Sequence, residues 1–383
     1  MKKIIIIGGG IGGLCTAIAL QQHGFEVKIY EKVNKLGEVG AGLTLWANAI
    51  KVLRKLGVAD LVTSNGAEIE RSKLLTSRGE VLSEAGIEHL KKSLGEPVVG
   101  IHRAALHDIL MHAIEPNTLK LGMPLIRYEQ KDDQVTAYFE NGHTDSADLL
   151  IGADGIHSAV RKQMMPNLRL RYSGCSAWRG VVETESASAL GLTSESWGRG
   201  QRFGIVRVDK RRVYWFATNN QPAGEQLSGE ERKVKLLRLF QDWHTPICDL
   251  LEETSSDVIL QNDLYDIPPF ASWTQGRVIL LGDAAHPTTP NMGQGACMAI
   301  ESAYVLSRCL KEQPSLKSAL RRYEAQRHPR TAWITNTSWQ IGIVAQWQNP
   351  ILCALRNFVF RMIPAKLTQL GLRRAADYDV TSA

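Results

Sequence analysis

The sequence predicts an α/β fold: a Rossmann-like nucleotide-binding domain (a parallel sheet with helices), interrupted by an antiparallel-sheet domain and followed by C-terminal helices. An apolar strand, a glycine-rich turn, a helix and a second strand follow one another over residues 4–31. Short aromatic and β-branched segments between turns occupy roughly residues 172–270 and are typical of antiparallel strands. The α/β pattern then returns at residues 277–310.

The first unit is assigned from its hydrophobic pattern. Residues 4–7 are all isoleucine, which predicts a strand buried on both faces of a parallel sheet. Apolar residues then recur at helical spacing from Leu14 to Leu20, and Gly24 is a typical C-terminal stop. A second strand over residues 27–30 ends at Glu31. Together these segments predict a strand–turn–helix–strand unit of about 30 residues.

The later elements follow from the same kind of pattern. Residues 147–162 contain a short buried strand that leads into a turn and a helix. Antiparallel strands are predicted at residues 178–182, 203–208 and 213–218. Alternation in the last of these places Tyr214 and Phe216 on one face of the sheet, and Val213 and Trp215 on the other. At the return of the α/β pattern, residues 278–281 predict a buried strand, and the following helix carries one apolar face (Ala299, Ala303, Leu306, Leu310).

Composition excludes several classes of protein. The 383 residues, 44% hydrophobic and 22% charged, are ordinary for a folded globular chain and exclude a disordered or disulfide-stapled one. No apolar run reaches the ~18–20 residues of a membrane-spanning helix, and the apolar segment after Lys3 is too short for a signal peptide. A net charge of +6 does not indicate nucleic-acid binding. The six cysteines lack metal-binding spacing, so we expect free thiols, no metal site and a cytoplasmic location.

The glycine-rich turn carries the pattern Gly8-x-Gly10-x-x-Gly13. In a strand–turn–helix unit the first glycine permits a tight turn, the second lets the backbone approach a pyrophosphate, and the third lets helix and strand pack closely. The helix N-terminus offers free N–H groups to the phosphates. Glu31 is the acceptor expected for ribose hydroxyls, and its charge argues against a 2′-phosphate. The pattern predicts dinucleotide binding without distinguishing FAD from NAD.

Two further motifs distinguish these cofactors through a family resemblance. Gly-Ala-Asp-Gly-x-x-Ser-x-Val-Arg spans residues 152–161, and Gly-Asp-Ala-Ala-His-Pro at residues 282–287 is followed by Pro290 and Gly293-Gln294-Gly295. In this order and spacing, the three motifs resemble those of the FAD-dependent aromatic hydroxylases, the single-component flavoprotein monooxygenases, over about residues 4–330.

The resemblance implies an activity and a set of co-substrates. It implies that NADH or NADPH reduces bound FAD and leaves, and that O2 then forms a flavin C4a-hydroperoxide that hydroxylates an aromatic or heteroaromatic molecule. A second Gly-x-Gly-x-x-Gly unit is absent from the sequence, which agrees with a transiently bound nicotinamide cofactor. A reductase or dehydrogenase, an epoxidase and a non-catalytic flavin-binding module remain alternatives on the same fold. A halogenase is disfavoured because its Trp-x-Trp-x-Ile-Pro motif is missing.

The resemblance also implies roles for individual residues. Asp283 matches the carboxylate that binds the ribityl chain, and Arg103 matches an arginine near the cofactor phosphates. Asp154 matches the Asp-Gly motif residue that supports both FAD and nicotinamide binding, and capping of the following helix is a second role compatible with the first. The segment Gly293-Gln294-Gly295 opens a helix whose N-terminus would face the flavin pyrimidine and stabilise negative charge there. The remaining cofactor-binding candidates are Lys32, Gly42, Pro290 and Ala296. We expect His286 and Cys297 to be structural rather than catalytic.

Substrate residues are expected in the interrupted sheet. Arg202 and Tyr214 lie near the positions of substrate-activating residues in a urate hydroxylase of the family, which makes them the catalytic candidates. A plain sheet core is an equally good explanation of the aromatic residues. Trp46, Trp178 and Arg179 are alternative pocket-lining residues.

The motifs divide the chain into six segments. FAD-binding segments are predicted at residues 1–71, 101–171 and 276–335, substrate-domain segments at 72–100 and 172–275, and a helical region at 336–383. From residue 350 to 374 there are five basic residues and no acidic one, and this tail resembles that of alkylquinolone hydroxylases. Two interpretations stay open, packing against the FAD-binding domain or peripheral contact with a membrane surface. The protein is expected to be a monomer or homodimer.

Overall fold

The computed structural model describes residues 2–35, 41–184 and 192–380. Within these ranges the α-helices are α1 (Ile11–Gln21), α2 (Ala47–Lys55), α3 (Ala59–Asn65), α4 (Glu88–Leu94), α5 (Arg103–Ala113), α6 (Ala159–Met164), α7 (Gly229–Phe240), α8 (Ile247–Glu253), α9 (Gly295–Glu312), α10 (Leu316–Ala345), α11 (Pro350–Met362) and α12 (Ala365–Ala376). Short 3-10 helices cover Ser256–Val258, Gly282–Ala284 and Pro290–Met292.

The strands of the same residue ranges form four sheets. They are β1 (Lys3–Ile7), β2 (Glu26–Tyr30), β3 (Gly42–Leu45), β4 (Ala67–Glu68), β5 (Arg71–Thr76), β6 (Val81–Gly86), β7 (Val99–His102), β8 (Leu119–Lys120), β9 (Leu125–Lys131), β10 (Gln134–Phe139), β11 (Thr144–Ala147), β12 (Leu149–Gly152), β13 (Arg171–Glu183), β14 (Leu192–Trp197), β15 (Gln201–Arg207), β16 (Arg212–Asn220), β17 (Leu260–Asp266), β18 (Thr274–Gln275) and β19 (Val278–Leu280). Two small three-stranded sheets have the orders β11-β10-β9 and β3-β7-β4.

The nucleotide-binding part is built on a six-stranded sheet of order β18-β19-β12-β1-β2-β8. Its strands are parallel except for the edge strand β18. The isoleucines of β1 are buried, and they share one core with residues of α1, α9 and β10. The predicted buried strand and parallel sheet are therefore confirmed. Because the carboxyl ends of parallel strands lie at one edge, the turns after β1, β12 and β19 come together there.

A seven-stranded sheet of order β17-β13-β16-β15-β14-β5-β6 forms the second part. The three antiparallel strands predicted in the middle of the chain lie in β13, β15 and β16 at its centre. The sheet is not wholly antiparallel, since β14 and β5 pair in parallel. This pairing joins two segments more than a hundred residues apart, and no local sequence signal indicates it. The six-way division of the chain stays a prediction, although β5 and β6 do join the sheet formed by the later strands.

The two faces of this sheet have different partners. One face packs on α7 and α8 and contains Val213 and Trp215. The opposite face contains Tyr214 and Phe216, so the predicted alternation along β16 is confirmed. Trp178 is fully buried on the α7 and α8 side, and the expectation that it lines the pocket is therefore wrong. Both faces of the sheet therefore contribute to apolar cores, one with α7 and α8 and the other with Ala47, Ile87 and Leu90.

The chain ends in three helices. The 30-residue α10 begins at a capping box made by Ser315 and Ser318. Both α11 and α12 pack against β6 of the large sheet. In the part of the chain that the structure describes, no helix is both long enough and apolar enough to cross a membrane.

Candidate active site

The turn after β1 is shaped by close backbone contacts. Gly8 has φ +107°, and a Cβ at this position would collide with the backbone at Ala153. A Cβ at Gly13 would collide with the Gly8 carbonyl oxygen, so the start of α1 lies directly against the end of β1. At Gly10, by contrast, no heavy atom of the described residues lies within 4 Å of the Cβ position. The turn therefore combines two positions that exclude a side chain with one that leaves room for a ligand to approach the backbone.

Glu31 and His107 hold this turn from either side. The Glu31 carboxylate accepts hydrogen bonds from the Gly9 amide at 2.7 Å and the Val33 amide at 3.1 Å. His107 Nε2 lies 2.8 Å from the Gly9 carbonyl oxygen. His107 was not among the residues predicted from the sequence, even though it follows Arg103 by one helical turn on α5. Lys32 is exposed beside Glu31.

The Asp-Gly motif is tied to the loop after β19. Asp154 Oδ2 accepts from the Ala159 amide at 2.7 Å and the Val160 amide at 3.2 Å, so the capping role is present, on a helix that begins at Ala159. Its second oxygen, Oδ1, is buried with no hydrogen-bond partner among the described residues, and burial raises the pKa of this carboxyl. Arg161 donates to the carbonyl oxygens of Asp283 and Ala284 at 3.1 and 3.0 Å. Arg161, which sequence reasoning left without a role, therefore joins the two loops.

Asp283 and Arg103 lie near each other in the space between these loops. Asp283 is open to solvent, yet protein surrounds it densely enough to raise the pKa of its carboxyl, while the charges of Arg103 and Arg161 act in the opposite direction. Arg103 is exposed at the first position of α5, and its amide donates to the Ala41 carbonyl at 2.9 Å. The structure thus brings together a carboxylate and an arginine that are 180 residues apart.

The N-terminus of α9 opens towards the same space. Pro290 begins the preceding 3-10 helix, Gly293 has φ +60°, and Gln294 is the N-cap residue. Gly293, Gly295 and Ala296 are at least partly open to solvent, so the first amides of α9 are accessible there. Gln294 Nε2 and Trp46 Nε1 are buried donors with no partner among the described residues. Trp46 Nε1 also lies 3.3 Å from the Cβ position of Gly293.

A buried polar network supports this helix terminus. Asn48 donates to Gln294 Oε1 at 3.0 Å and to Glu301 at 2.6 Å. Glu301 is fully buried and pairs with Arg327 at 2.7 Å and with Arg330 at 3.3 Å. Sequence reasoning missed the network, although a glutamate inside the apolar run of α9 was a signal for a buried partner.

The sheet face towards this space carries both substrate candidates, but at separate places. Arg202 is 3% exposed and donates to Asn291 at 2.6 Å, to Glu195 at 3.1 Å and to Thr218 at 3.4 Å. Arg202 pairs across the sheet with Thr218, whereas Tyr214 lies four residues along β16, about 13 Å away. Tyr214 is buried against Gly42, whose Cβ position lies 2.5 Å from the Tyr214 side chain. Burial raises the pKa of Tyr214, and the charges of Arg179 and Arg103 oppose this.

A pocket lies at the Arg202 end of this face. Its walls include Arg202 and Asn291 together with Leu264, Trp339 and Ile343. Tyr214, Trp46 and Arg179 are not among its lining residues. His286 and Cys297 do not line this pocket, and both are buried. His286 lies beside Trp273 and Ser302. Burial raises the pKa of the Cys297 thiol to about 12. Their surroundings agree with structural roles for both.

These features fit FAD. The glycine turn leaves room at Gly10 for a pyrophosphate, Glu31 offers a carboxylate beside this turn, and Asp283 offers one between the two loops. The accessible amides of α9 and the two unpartnered buried donors suit the oxygens and ring nitrogens of a flavin. A second dinucleotide site is not needed for this arrangement.

Comparison with known proteins agrees with this fit. Residues 1–338 match the family model FAD_binding_3, described as an FAD binding domain. The chain is 40% identical to the aurachin C monooxygenase/isomerase of Stigmatella aurantiaca over 97% of both chains. It is 31% identical to the 2-heptyl-3-hydroxy-4(1H)-quinolone synthase of Pseudomonas aeruginosa over 94% of both.

A solved structure shows the same fold with the cofactor bound. Klebsiella pneumoniae HpxO complexed with FAD and uric acid is similar with a TM-score of 0.92 and 31% identity, covering 98% of this chain and 96% of that one. The resemblance inferred from the three sequence motifs is confirmed. The chain belongs to the FAD_binding_3 family, and it is an FAD-dependent monooxygenase.

Proposed function

We propose that the protein uses NAD(P)H and O2 to hydroxylate a lipophilic heteroaromatic molecule, with a carbonyl-bearing ring of the 4-quinolone kind. The observation that carries this proposal is the pocket at Arg202, where a buried guanidinium shares the space with aromatic and aliphatic side chains. The similarity to a quinolone synthase extends over 94% of both chains, which includes helices of the C-terminal region. A ring with one polar edge and an apolar substituent matches the chemistry of these lining side chains, one cation among aromatic and aliphatic groups.

Arg202 is the residue that we assign to the ring. Its guanidinium is held in place by three side chains, so its remaining N–H groups have a fixed direction. A charged donor binds an oxyanion more strongly than a neutral carbonyl oxygen, and it therefore favours the deprotonated, electron-rich form of the ring. Such a ring is the better nucleophile for oxygen transfer.

The cofactor residues keep the roles proposed for them. Glu31 binds the ribose, Arg103 and the glycine turn bind the phosphates, Asp283 binds the ribityl chain, and the N-terminus of α9 faces the pyrimidine. When bound, FAD supplies the redox chemistry with electrons from the nicotinamide cofactor. The buried network behind Gln294, together with the buried ring nitrogen of Trp46, excludes water from that end of the site.

A cytoplasmic location and a monomeric or homodimeric state belong to the same proposal. All six cysteines are free thiols, five of them buried, which suits a reducing compartment.

A comparison of ring classes tests the proposed substrate. The purified yellow protein is mixed with NADH or NADPH and with 2-alkyl-4-quinolones, urate or salicylate, while NAD(P)H oxidation, oxygen uptake and product mass are followed. We expect the alkylquinolones to accelerate NAD(P)H oxidation and to gain one oxygen atom. Acceleration by urate or salicylate alone would show that the substrate class is wrong, and reduction without oxygen uptake would favour a reductase.

A further inference from the structure

Helix α11 presents an apolar face to solvent. Six of its large apolar side chains are between 41% and 77% exposed: Ile351, Leu352, Leu355, Phe358, Val359 and Met362. Their spacing of three and four residues places them on one side of the helix. Leu367 and Leu370 of α12 are 58% and 59% exposed. These eight make up half of the large hydrophobic side chains that are exposed in the described parts of the chain.

The opposite side of α11 is firmly attached to the protein. Arg356 is buried and donates to the carbonyl oxygens of Ala345 at 2.9 Å and of Gly198 at 3.0 Å. Phe360 meets Trp197 edge to face with 5.0 Å between ring centres, and Cys353 is buried. The helix is therefore turned with a charged residue inwards and its apolar residues outwards, the reverse of an ordinary surface helix. Exposing six large apolar side chains to water is unfavourable, and a contiguous apolar patch of this kind indicates a partner.

The surroundings of the apolar face are basic. Lys366, Arg373 and Arg374 of α12 are exposed, and residues 350–374 contain no acidic side chain. Asp377, just beyond this range, pairs with Arg373 at 3.6 Å. Arg361 is the exposed basic residue of α11, and it pairs with Glu80 at 2.6 Å. Apolar side chains bordered by cations are the pattern of helices that lie in the interface of an anionic lipid bilayer.

We propose that α11 and α12 form a docking surface for an anionic lipid membrane, with the apolar face of α11 inserted among the headgroups. A second copy of the chain fits this face less well, because a two-fold contact would pack two copies of the same basic, acid-free segment on each other, and like charges facing each other across an interface cost free energy. Cations and apolar side chains together favour lipid, since headgroup phosphates pair with the former and acyl chains contact the latter.

Docking would also place the substrate pocket near the bilayer. Trp339, Gly342, Ile343 and Gln346 line that pocket from the end of α10, and α11 begins at residue 350. A lipophilic substrate could therefore pass from the membrane to the pocket along the junction of α10 and α11. This consequence, unlike the docking itself, rests on the proposed function.

Vesicle flotation of the flavin-loaded full chain tests the surface. We expect it to float with vesicles of phosphatidylcholine and phosphatidylglycerol, to bind vesicles of phosphatidylcholine alone more weakly, and to lose binding as salt rises. Leu355→Glu combined with Phe358→Glu should reduce binding about tenfold or more, since two inserted side chains are lost and charges are added. The matched control is Val234→Glu on α7, where the side chain is 64% exposed on another surface.

The outcomes separate docking from the proposed substrate. Flavin content and thermal unfolding verify that each variant folds. Absence of vesicle binding, or equal binding by the double variant, would overturn the membrane proposal. So would a dimer, seen by light scattering, that the double variant converts to monomer. Vesicle binding without turnover of any quinolone would leave the docking surface in place and refute the proposed function instead.

Discussion

Asp283 is the single carboxylate that we assign to the ribityl chain of FAD. Asp283→Ala should raise the dissociation constant of FAD about ten- to a hundred-fold, because a hydrogen bond to a charged acceptor is lost. Fluorescence titration of the flavin-free protein with FAD measures this effect. Asp108→Ala, at an exposed position of α5, is the control and should bind FAD normally. Normal affinity in the Asp283 variant would remove the ribityl assignment.

Arg202 tests the substrate pocket rather than the cofactor site. The Arg202→Gln variant should keep its flavin, because Arg202 belongs to no cofactor motif. Without the guanidinium the substrate ring is misplaced or stays protonated and reacts slowly, since a misplacement near 1 Å can lower the rate of such a step about a hundredfold. The ratio of product to NAD(P)H consumed should therefore fall, with hydrogen peroxide accounting for the difference. Arg202→Lys should recover part of the coupling.

Tyr214→Phe is the companion variant to Arg202→Gln. The change keeps the ring packed against Gly42 and removes only the hydroxyl group. An unchanged ratio of product to NAD(P)H consumed in both variants would assign both residues to the sheet core. Loss of flavin from either variant would show that the residue is needed for folding.

At the scale of elements, the contact between α9 and α10 depends on one buried carboxylate. Glu301→Gln leaves the guanidinium groups of Arg327 and Arg330 without a counter-charge in the interior. Breaking a buried pair in this way costs about 3–5 kcal/mol, so the free energy of unfolding should fall by that order. Urea denaturation of the flavin-free protein measures it.

Glu312→Gln on the same helix is the matched control for Glu301→Gln. Glu312 pairs with Arg322 at 2.9 Å, but both side chains are about 40% exposed, and surface pairs contribute about 1 kcal/mol at most. Equal losses in the two variants would mean that the buried network is not what stabilises the N-terminus of α9.

At the scale of the whole molecule, His286 makes stability depend on pH. Burial, with the charge of Arg327 nearby, lowers the pKa of His286 to about 3, whereas an unfolded histidine has a pKa of about 6.5. Below pH ~6.5, His286 is therefore protonated in the unfolded chain but stays neutral in the folded chain. The stability due to this group is complete above that pH and falls by about 1.4 kcal/mol per unit as the pH drops towards 3.

His286→Gln should remove this component. Urea denaturation at pH 7.5 and 5.5 should show the wild-type protein losing about 1.4 kcal/mol more than the variant. Parallel losses in the two proteins would contradict the lowered pKa.

Prediction from sequence succeeded where the signal was local. Four predictions each depend on a pattern within one element, and the backbone geometry of that element alone determines the pattern. They are the glycine turn, the all-isoleucine strand, the alternation along β16 and the apolar face of α9. Contacts between distant segments had no such signal. His107 against the glycine turn, Arg161 across to Asp283, and the parallel pairing of β14 with β5 were therefore missed.

The sequence by itself determined the nucleotide-binding fold, the family and the cofactor, because the glycine motif imposes the turn that a dinucleotide requires and two further motifs, in the order and spacing of the FAD-dependent hydroxylases, identify the cofactor as FAD. Only the tertiary structure decided which residues meet. It separated Arg202 from Tyr214 on one sheet face and buried Trp178 on the other. It also turned Arg356 inwards so that the apolar side of α11 faces solvent. Amphipathic spacing shows that a helix has two sides, but the side that is buried depends on what distant segments place against it.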